Sequence, residues 1–524
     1  MAQAPSPLDQ LQEHLRQSQL LGSISSALYY DQNTVMPAAG AEWRGNQLAL
    51  LASQLHERQS SPAYADLVEA AEAELQASTP AAVRRNLQLL RLELNRQRCL
   101  DPQLVAQIAQ AQSRGNAIWQ EARRRSDFSL FAPALASLID LRREQATQLA
   151  AAEAQQRSPW EILAQPFEPD VSKERLQQLF APLQAELPVL LQQAAATQVS
   201  PLPELPESLQ ENLCTELLNS WGYDPAYCQR SRSAHPFSCT VGPQDFRITT
   251  RVVPDQPLSA FLATAHEWGH SLYEQGLPRT GNHYFPWPLG EATSMGVHES
   301  QSLFWECRVG RSRAFAERWH PRFCTGLGSG LGSGLGSGSG SGGGSDPWGG
   351  AFGFWRGLNP LRPGLIRVEA DELSYCLHIV LRFELELALL EQDMPVAELP
   401  QQWNQRMQEL LGIQPQTDSE GCLQDIHWAE GLFGYFPSYA LGHLISAQLA
   451  ETMEQELGGP GAIEAAIAGG QESSLRDWLA SRVYPLGRSV NAEELVEQVS
   501  GQSLSAEAFL RYLRNKLERL RSDP

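Results

Sequence analysis

From Asp9 to about Gln198, apolar residues return at three- and four-residue steps, as in Val83-Leu87-Leu90-Leu94 and Leu179-Leu183-Leu187-Leu190. That spacing lines one face of a helix, and the Ala, Gln, Glu and Arg between them favour helix intrinsically. A chain that opens this way must bury helix against helix. The expectation is a set of packed, antiparallel helices, punctuated by Pro37, Pro62, Pro80, Pro102 and Pro159 at loop-like positions. With 524 residues, 42% of them hydrophobic and 19% charged, the chain can bury most of its apolar surface, which excludes a wholly disordered protein.

The period changes between His235 and Val253. There Asp245, Arg247, Thr249 and Arg251 alternate with Phe246, Ile248, Thr250 and Val252, the period-2 pattern of a half-exposed strand. Helical patterning resumes at Pro257–Gln275 and Gly290–Trp319, then from Arg367 to Glu391 and on to Leu520. The predicted class is mainly α with one small β-sheet. Residues 1–524 read as a single domain, with an N-terminal helical part (1–200) and a second part (201–524) interrupted at 326–345. That interruption is Gly and Ser with three Leu, a composition expected to form a disordered surface loop. Its span of about 25 Å lets it join two helices without disturbing their packing.

Lys and Arg number 40 against 60 Asp and Glu, a net charge of −20 that repels phosphate backbones and anionic lipid. Nucleic acid and membrane are therefore not expected as partners. Met1 to Gln19 lacks a signal-peptide pattern, and no stretch reaches ~20 apolar residues. Eight cysteines lie far apart without a CxxC pair, which suggests reduced thiols rather than a disulfide framework or zinc knuckle. A soluble, cytoplasmic protein is expected.

The strongest chemical signal is His266-Glu267-Trp268-Gly269-His270, an H-E-x-x-H on a predicted helix. Positions i and i+4 project from one face about 5–6 Å apart at Cβ, so two imidazoles can converge on Zn²⁺. Glu267 points about 100° away around the helix, too far to join them as a ligand but within reach of a water at the metal. It is the general-base candidate for hydrolysis of an amide.

Such a motif can arise by chance, and a catalytic zinc needs a third protein ligand. The segment from Gly290 to Ser302 leads into a second helix that offers Glu291, His298 and Glu299. Glu299 follows His270 by 29 residues, room for a turn and a return helix. His298 is its competitor; adjacent on a helix, the two point about 100° apart, so one coordinates at the other's expense. Glu299 is favoured, giving a two-His, one-Glu gluzincin set of His266, His270 and Glu299. The HExxHxxGxxH pattern fails because Gly276 occupies the last position, and Glu274 suits a supporting or surface carboxylate better than a ligand.

These motifs keep company. His235-Pro236-Phe237, Asp245/Arg247/Thr249, HExxH, His298-Glu299-Ser300-Gln301, Ile366-Arg367 with Ala370-Asp371, and Gly421 with Gln424-Asp425 and His427-Trp428 occur in that order. The chain resembles the carboxypeptidase Taq family in all of them. Leu28-Tyr29-Tyr30-Asp31, Met36-Pro37 and Arg44 extend the resemblance to the N-terminal segment, with Tyr30 where Trp is more usual. The Gly/Ser tract is the main departure. The resemblance implies a zinc-dependent, often cobalt-activatable metallocarboxypeptidase of broad specificity. It also implies a helical fold with a long central groove, commonly as a homodimer.

An enzyme that trims free C-termini must recognise a carboxylate, for which a planar Arg is suited. Arg367 is the first candidate, with Arg247 and Arg251 on the predicted strand next. That strand could pair with an extended peptide, and His235 is a candidate lining residue of the same groove. His427 and Tyr435, eight residues apart, resemble the His/Tyr oxyanion donors of related gluzincins, with Tyr439 competing for the tyrosine role and Asp425 orienting an imidazole. Two other readings remain: a zinc oligopeptidase or dipeptidyl carboxypeptidase on the same scaffold, and a non-catalytic helical scaffold, against which the intact Glu267 argues.

Overall fold

The computed structural model describes residues 5–151, 156–194, 202–279, 286–328 and 346–522. Among them are twenty α-helices and one three-stranded sheet, in agreement with the mainly helical class. Helices fill the chain from Pro7 to Ala194, where apolar periodicity predicted them. The prolines differ from expectation in one respect. Pro62, Pro102 and Pro159 open helices, each behind a capping Ser61, Asp101 or Ser158 whose side chain accepts a backbone N–H. At a first helical position the missing proline N–H is not needed, so these residues start helices instead of filling loops.

Two apolar cores form. The smaller gathers Leu11, Val68, Leu87, Leu90 and Leu94 with Trp287. The larger runs from Trp119 to Leu520, so the helices between Phe128 and Ala194 share a core with the C-terminal half.

The sheet has order β1-β3-β2, where β1 is Cys228–Arg232, β2 Ser238–Gly242 and β3 Asp245–Thr250. Strand β3 is central, parallel to β1 with Cys228 opposite Phe246 and antiparallel to β2 with Cys239 opposite Arg247. Phe246 and Ile248 are buried while Asp245 and Arg247 are half-buried, as the alternation predicted, but Thr249 breaks it: its side chain is buried, with the hydroxyl accepting from the Phe237 N–H and the Ser233 hydroxyl. Strand β1, Cys-Gln-Arg-Ser-Arg, has no such alternation and was not foreseen.

The predicted helix from Gly290 to Trp319 is three elements: the α-helix Met295–Leu303, a π-helical run Phe304–Gly310 and the α-helix Arg313–Gly328. Arg367 lies in a short 3₁₀ turn, Arg367–Glu369, ahead of the helix Tyr375–Glu391. Asp371 sets that boundary by accepting the N–H groups of Arg362, Leu373 and Ser374. Of the Gly/Ser tract, 326–328 end the helix Arg313–Gly328, and the expected loop at 329–345 lies outside the described residues. All eight cysteines are unpaired. No described helix is long and apolar enough to cross a membrane.

Candidate active site

The helix Ser259–Gly276 carries His266 and His270, and small residues let its neighbours come close. A Cβ on Gly269 would stand 2.7 Å from the Gln301 carbonyl oxygen and the Ser302 Cα, so the helix Met295–Leu303 lies directly against the HExxH turn. On the far side, a Cβ on Gly442 of the helix Pro437–Leu457 would stand 2.7 Å from Glu299 Cγ. Glu299 is thereby wedged between two helices with its carboxylate at the two imidazoles.

Glu299 Oε2 is 3.5 Å from His270 Nε2 and 3.8 Å from His266 Nε2. A donor from each of the three residues lies within 4.8 Å of the other two. Ligands about 2.0–2.2 Å from a tetrahedral cation stand roughly 3.3 Å apart, so these donors fit a divalent ion with little adjustment. Burial pulls the His266 pKa down, but the Glu299 and Glu306 carboxylates outweigh it and hold it at about 10. Burial first, and the neighbouring His298 and His266 next, push the His270 imidazole the other way, well below its usual value, so it is the carboxylates that supply negative potential at this point.

Two half-buried carboxylate arms orient the imidazoles. In one, His266 Nδ1 lies 2.8 Å from Glu306 Oε2, and Glu306 Oε1 accepts from Arg311 Nη2 at 2.8 Å. In the other, His270 Nδ1 meets His298 Nδ1 at 2.6 Å, and His298 Nε2 meets Glu274 Oε1 at 3.1 Å. Glu274 Oε2 accepts from Arg279 at 2.6 Å and from Thr240 of β2 at 3.0 Å, which ties the sheet to this arm. Burial would raise both acids; His298 and Arg279 instead hold Glu274 down at about 2, while Arg311 and His266 hold Glu306 well below the usual carboxylate range. Fixed ring nitrogens and ionised partners are what ligating histidines require.

His298, the competing ligand, thus backs His270, and Glu274 backs His298. Glu291 turns away to Arg488, 2.8 Å distant. Glu306, Gly269 and Gly442 were missed from sequence. Glu306 lies seven residues after Glu299, two helical turns along the same face, a signal that helical spacing carried.

Glu267 is 7% exposed, and burial pushes its carboxyl up to about 7 against the opposing pull of His266. Such a group can hold or release a proton near neutrality. A second cluster adjoins Glu299. Asp425 Oδ1 accepts from Arg367 Nε and Nη2 at 3.0 and 2.8 Å, and its Oδ2 accepts from Arg382 Nε at 2.7 Å. Arg367 Nη1 donates to the Tyr375 hydroxyl at 3.1 Å, and its guanidinium lies 4.9 Å from the Tyr439 ring centre. His427 Nε2 is 3.4 Å from the Tyr439 hydroxyl, and its ring centre is 5.5 Å from that of Tyr435. Burial drops the His427 imidazole to about 4, leaving it neutral. Burial first, and the Glu299 charge next, push the Tyr435 phenol up.

The other substrate candidates sit elsewhere. Arg247 is forked onto Asp245 at 2.6 and 2.8 Å, with its guanidinium 5.1 Å from the Tyr30 ring centre. Tyr29 and Tyr30 pack edge-on against Phe237, so the N-terminal segment, the His-Pro-Phe and the Asp-x-Arg-x-Thr motifs meet at one place. His235 and Arg251 are exposed.

Residues 10–517 match the family described as carboxypeptidase Taq (M32) metallopeptidase. The chain is 36% identical to thermostable carboxypeptidase 1 of Thermus thermophilus, over 97% of both chains, and 32% identical to carboxypeptidase 1 of Bacillus subtilis, over 94% of both. The M32 carboxypeptidase of Deinococcus radiodurans R1 superposes with a TM-score of 0.89 at 31% identity, covering 98% of this chain and 99% of that one. Metallocarboxypeptidase 1 of Trypanosoma cruzi also gives 0.89 at 31% identity, covering 99% of each chain. With family, fold and donor set in agreement, the chain belongs to the carboxypeptidase Taq (M32) metallopeptidases and is a metallocarboxypeptidase.

Proposed function

We propose that the protein is a zinc-dependent carboxypeptidase that releases single C-terminal residues from peptides with broad specificity. One observation carries this reading: His266, His270 and Glu299 present their donor atoms to one point, with the buried Glu267 beside them. Two imidazoles and a carboxylate are a zinc donor set, and the same atoms accept Co²⁺. When bound, the ion supplies Lewis acidity toward the scissile carbonyl and toward water.

The chain's own groups do the rest. Glu267, near neutrality in its pKa, takes a proton from the attacking water and returns it to the departing amine. Tyr435, backed by Tyr439 and the neutral His427, donates to the oxygen that gains negative charge. Arg367 receives the terminal carboxylate. Three of its five N–H groups serve Asp425 and Tyr375, which leaves one on each terminal nitrogen. In this reading His235 and Arg247 line the approach of the peptide along the sheet, and residues 1–524 act as one domain. A cytoplasmic homodimer without nucleic-acid or membrane partners completes the proposal.

Timed mass spectrometry of peptide pairs with free or amidated C-termini tests it. Single residues should leave the free form alone, and a chelator should stop the reaction. Release of dipeptides, or cleavage of amidated peptides at the same rate, would favour the dipeptidyl carboxypeptidase or oligopeptidase reading instead.

A further inference from the structure

His320 and Cys324 occupy positions i and i+4 on the helix Arg313–Gly328, the spacing that also pairs His266 with His270. Asp346, on the other side of the Gly/Ser tract, comes to the same place. His320 Nε2 lies 2.8 Å from Asp346 Oδ2 and 3.2 Å from Cys324 Sγ, and that sulfur lies 3.6 Å from Asp346 Oδ1. Thiol and carboxylate therefore face the same ring nitrogen.

That convergence separates two chemistries. In a nucleophile–base–acid relay the thiol and the carboxylate sit on opposite nitrogens of the imidazole. Here a single N–H cannot serve both, whereas one cation can be shared by sulfur, nitrogen and oxygen. We infer that His320, Cys324 and Asp346 form a second divalent-cation site, of the zinc and cobalt class, that clips together the two ends of the Gly/Ser tract.

The surroundings suit that role. Asp346 is held in place by the N–H groups of Trp348 and Gly350, each 2.9 Å from one of its oxygens. Phe323, Trp348 and Phe354 pack edge-on or tilted against one another beside the three donors, an apolar wall on one side. The Asp346 side chain is 34% exposed, which leaves an entry path and room for water as a fourth ligand. Tetrahedral coordination requires donor separations of about 3.3–3.6 Å, so the closest pair opens by roughly half an ångström, within reach of side-chain rotation. Binding forms a metal–thiolate bond and releases the Cys324 proton to solvent. Without a cation, burial and the Asp346 charge push that thiol up to about 11. The clip ties the helix Arg313–Gly328 to Asp346, which stands just ahead of the helix Gly350–Leu358.

Cobalt titration of the chelator-stripped full chain tests the site. The His266–His270–Glu299 set contains no sulfur, so a thiolate-to-cobalt charge-transfer band in the near ultraviolet reports the second site alone. The band should appear in the wild type, disappear in Cys324→Ser and His320→Ala, and leave peptide hydrolysis in both variants intact. Absence of the band in the wild type, or its persistence in Cys324→Ser, overturns the inference. A second measurement needs no variant: in the wild-type chain, Zn²⁺ should slow alkylation of Cys324, located by peptide mapping, about tenfold or more. An unchanged rate at Cys324 also overturns it.

Discussion

His270 and His298 meet Nδ1 to Nδ1 at 2.6 Å, a contact that admits one hydrogen between two ring nitrogens. For His270 to bind a cation through Nε2 its hydrogen has to sit on Nδ1, which makes His298 Nδ1 the acceptor and leaves His298 to donate from Nε2 to the Glu274 carboxylate. The His270 Nε2 lone pair is then directed at Glu299 and His266. Proton placement three residues deep thus decides whether His270 can act as a ligand. Replacing His298 by Phe keeps the ring and removes the acceptor. Metal affinity, measured by competition with a chelator, should fall about 10–100-fold. Unchanged affinity would show that His270 is oriented by other means.

Glu267→Gln separates metal binding from proton transfer. The amide is nearly isosteric with the carboxyl it replaces and touches none of the three donors' roles. The variant should keep its metal and lose about 10²-fold or more in kcat. Full activity would remove Glu267 from the mechanism.

Tyr435 and Tyr439 can be told apart by their relation to Glu299. At both phenols burial is the largest influence; next comes the Glu299 charge at Tyr435, but the neighbouring Tyr435 and Tyr375 at Tyr439. Tyr435→Phe should lower kcat by about 10²-fold with KM little changed, the signature of a lost transition-state donor. Tyr439→Phe should cost less. The reverse order would assign the oxyanion to Tyr439.

Gly269→Ala tests the helix approach. The new methyl meets backbone atoms at 2.7 Å, which no side-chain rotation can relieve. A destabilisation of about 1–3 kcal/mol is expected, read as a lower Tm, with loss of bound metal as Glu299 retreats. A variant with wild-type Tm and metal content would show that the two helices have slack.

Glu168 gives a pH signature. Its Oε1 accepts the Gly296 N–H at 2.5 Å at the start of the helix that carries Glu299, and burial pushes the carboxyl up to about 7 despite bonds from Ser294 and Ser438. A folded-state pKa above the unfolded value means a stabilisation fully present below about pH 4.5 and lost as pH rises through 7, of order 3 kcal/mol at most. Glu168→Gln removes this dependence, so its Tm relative to wild type should climb between pH 5 and pH 8. Other buried acids titrate in both proteins and cancel in the difference. A Tm difference that stays flat across that range would assign the titration elsewhere.

Much was legible along the chain because it is local. Apolar residues at three- and four-residue steps define helix faces, alternation marked β3, and the i,i+4 spacing of His266 and His270 requires nothing beyond helix geometry. Glu299 was legible through its class and its distance along the chain. The type of Arg367 marks it as a carboxylate anchor, but its pairing with Asp425, 58 residues on, leaves no mark on spacing and shows only in the fold.

Tertiary structure decided everything that depends on two segments approaching. Gly269 and Gly442 look like ordinary helix positions until a neighbouring backbone or the Glu299 side chain fills the space where a Cβ would be. Glu306 and Glu274 look like ordinary acids until Arg311 and Arg279, set beside them by packing, keep them ionised against the effect of burial and facing His266 and His298. Residue type and helix period mark which residues can bind a cation and on which helix face they lie. Only packing decided which carboxylate reaches them and which ring nitrogen is free, because donor convergence and proton placement are set by contacts between residues far apart in the chain.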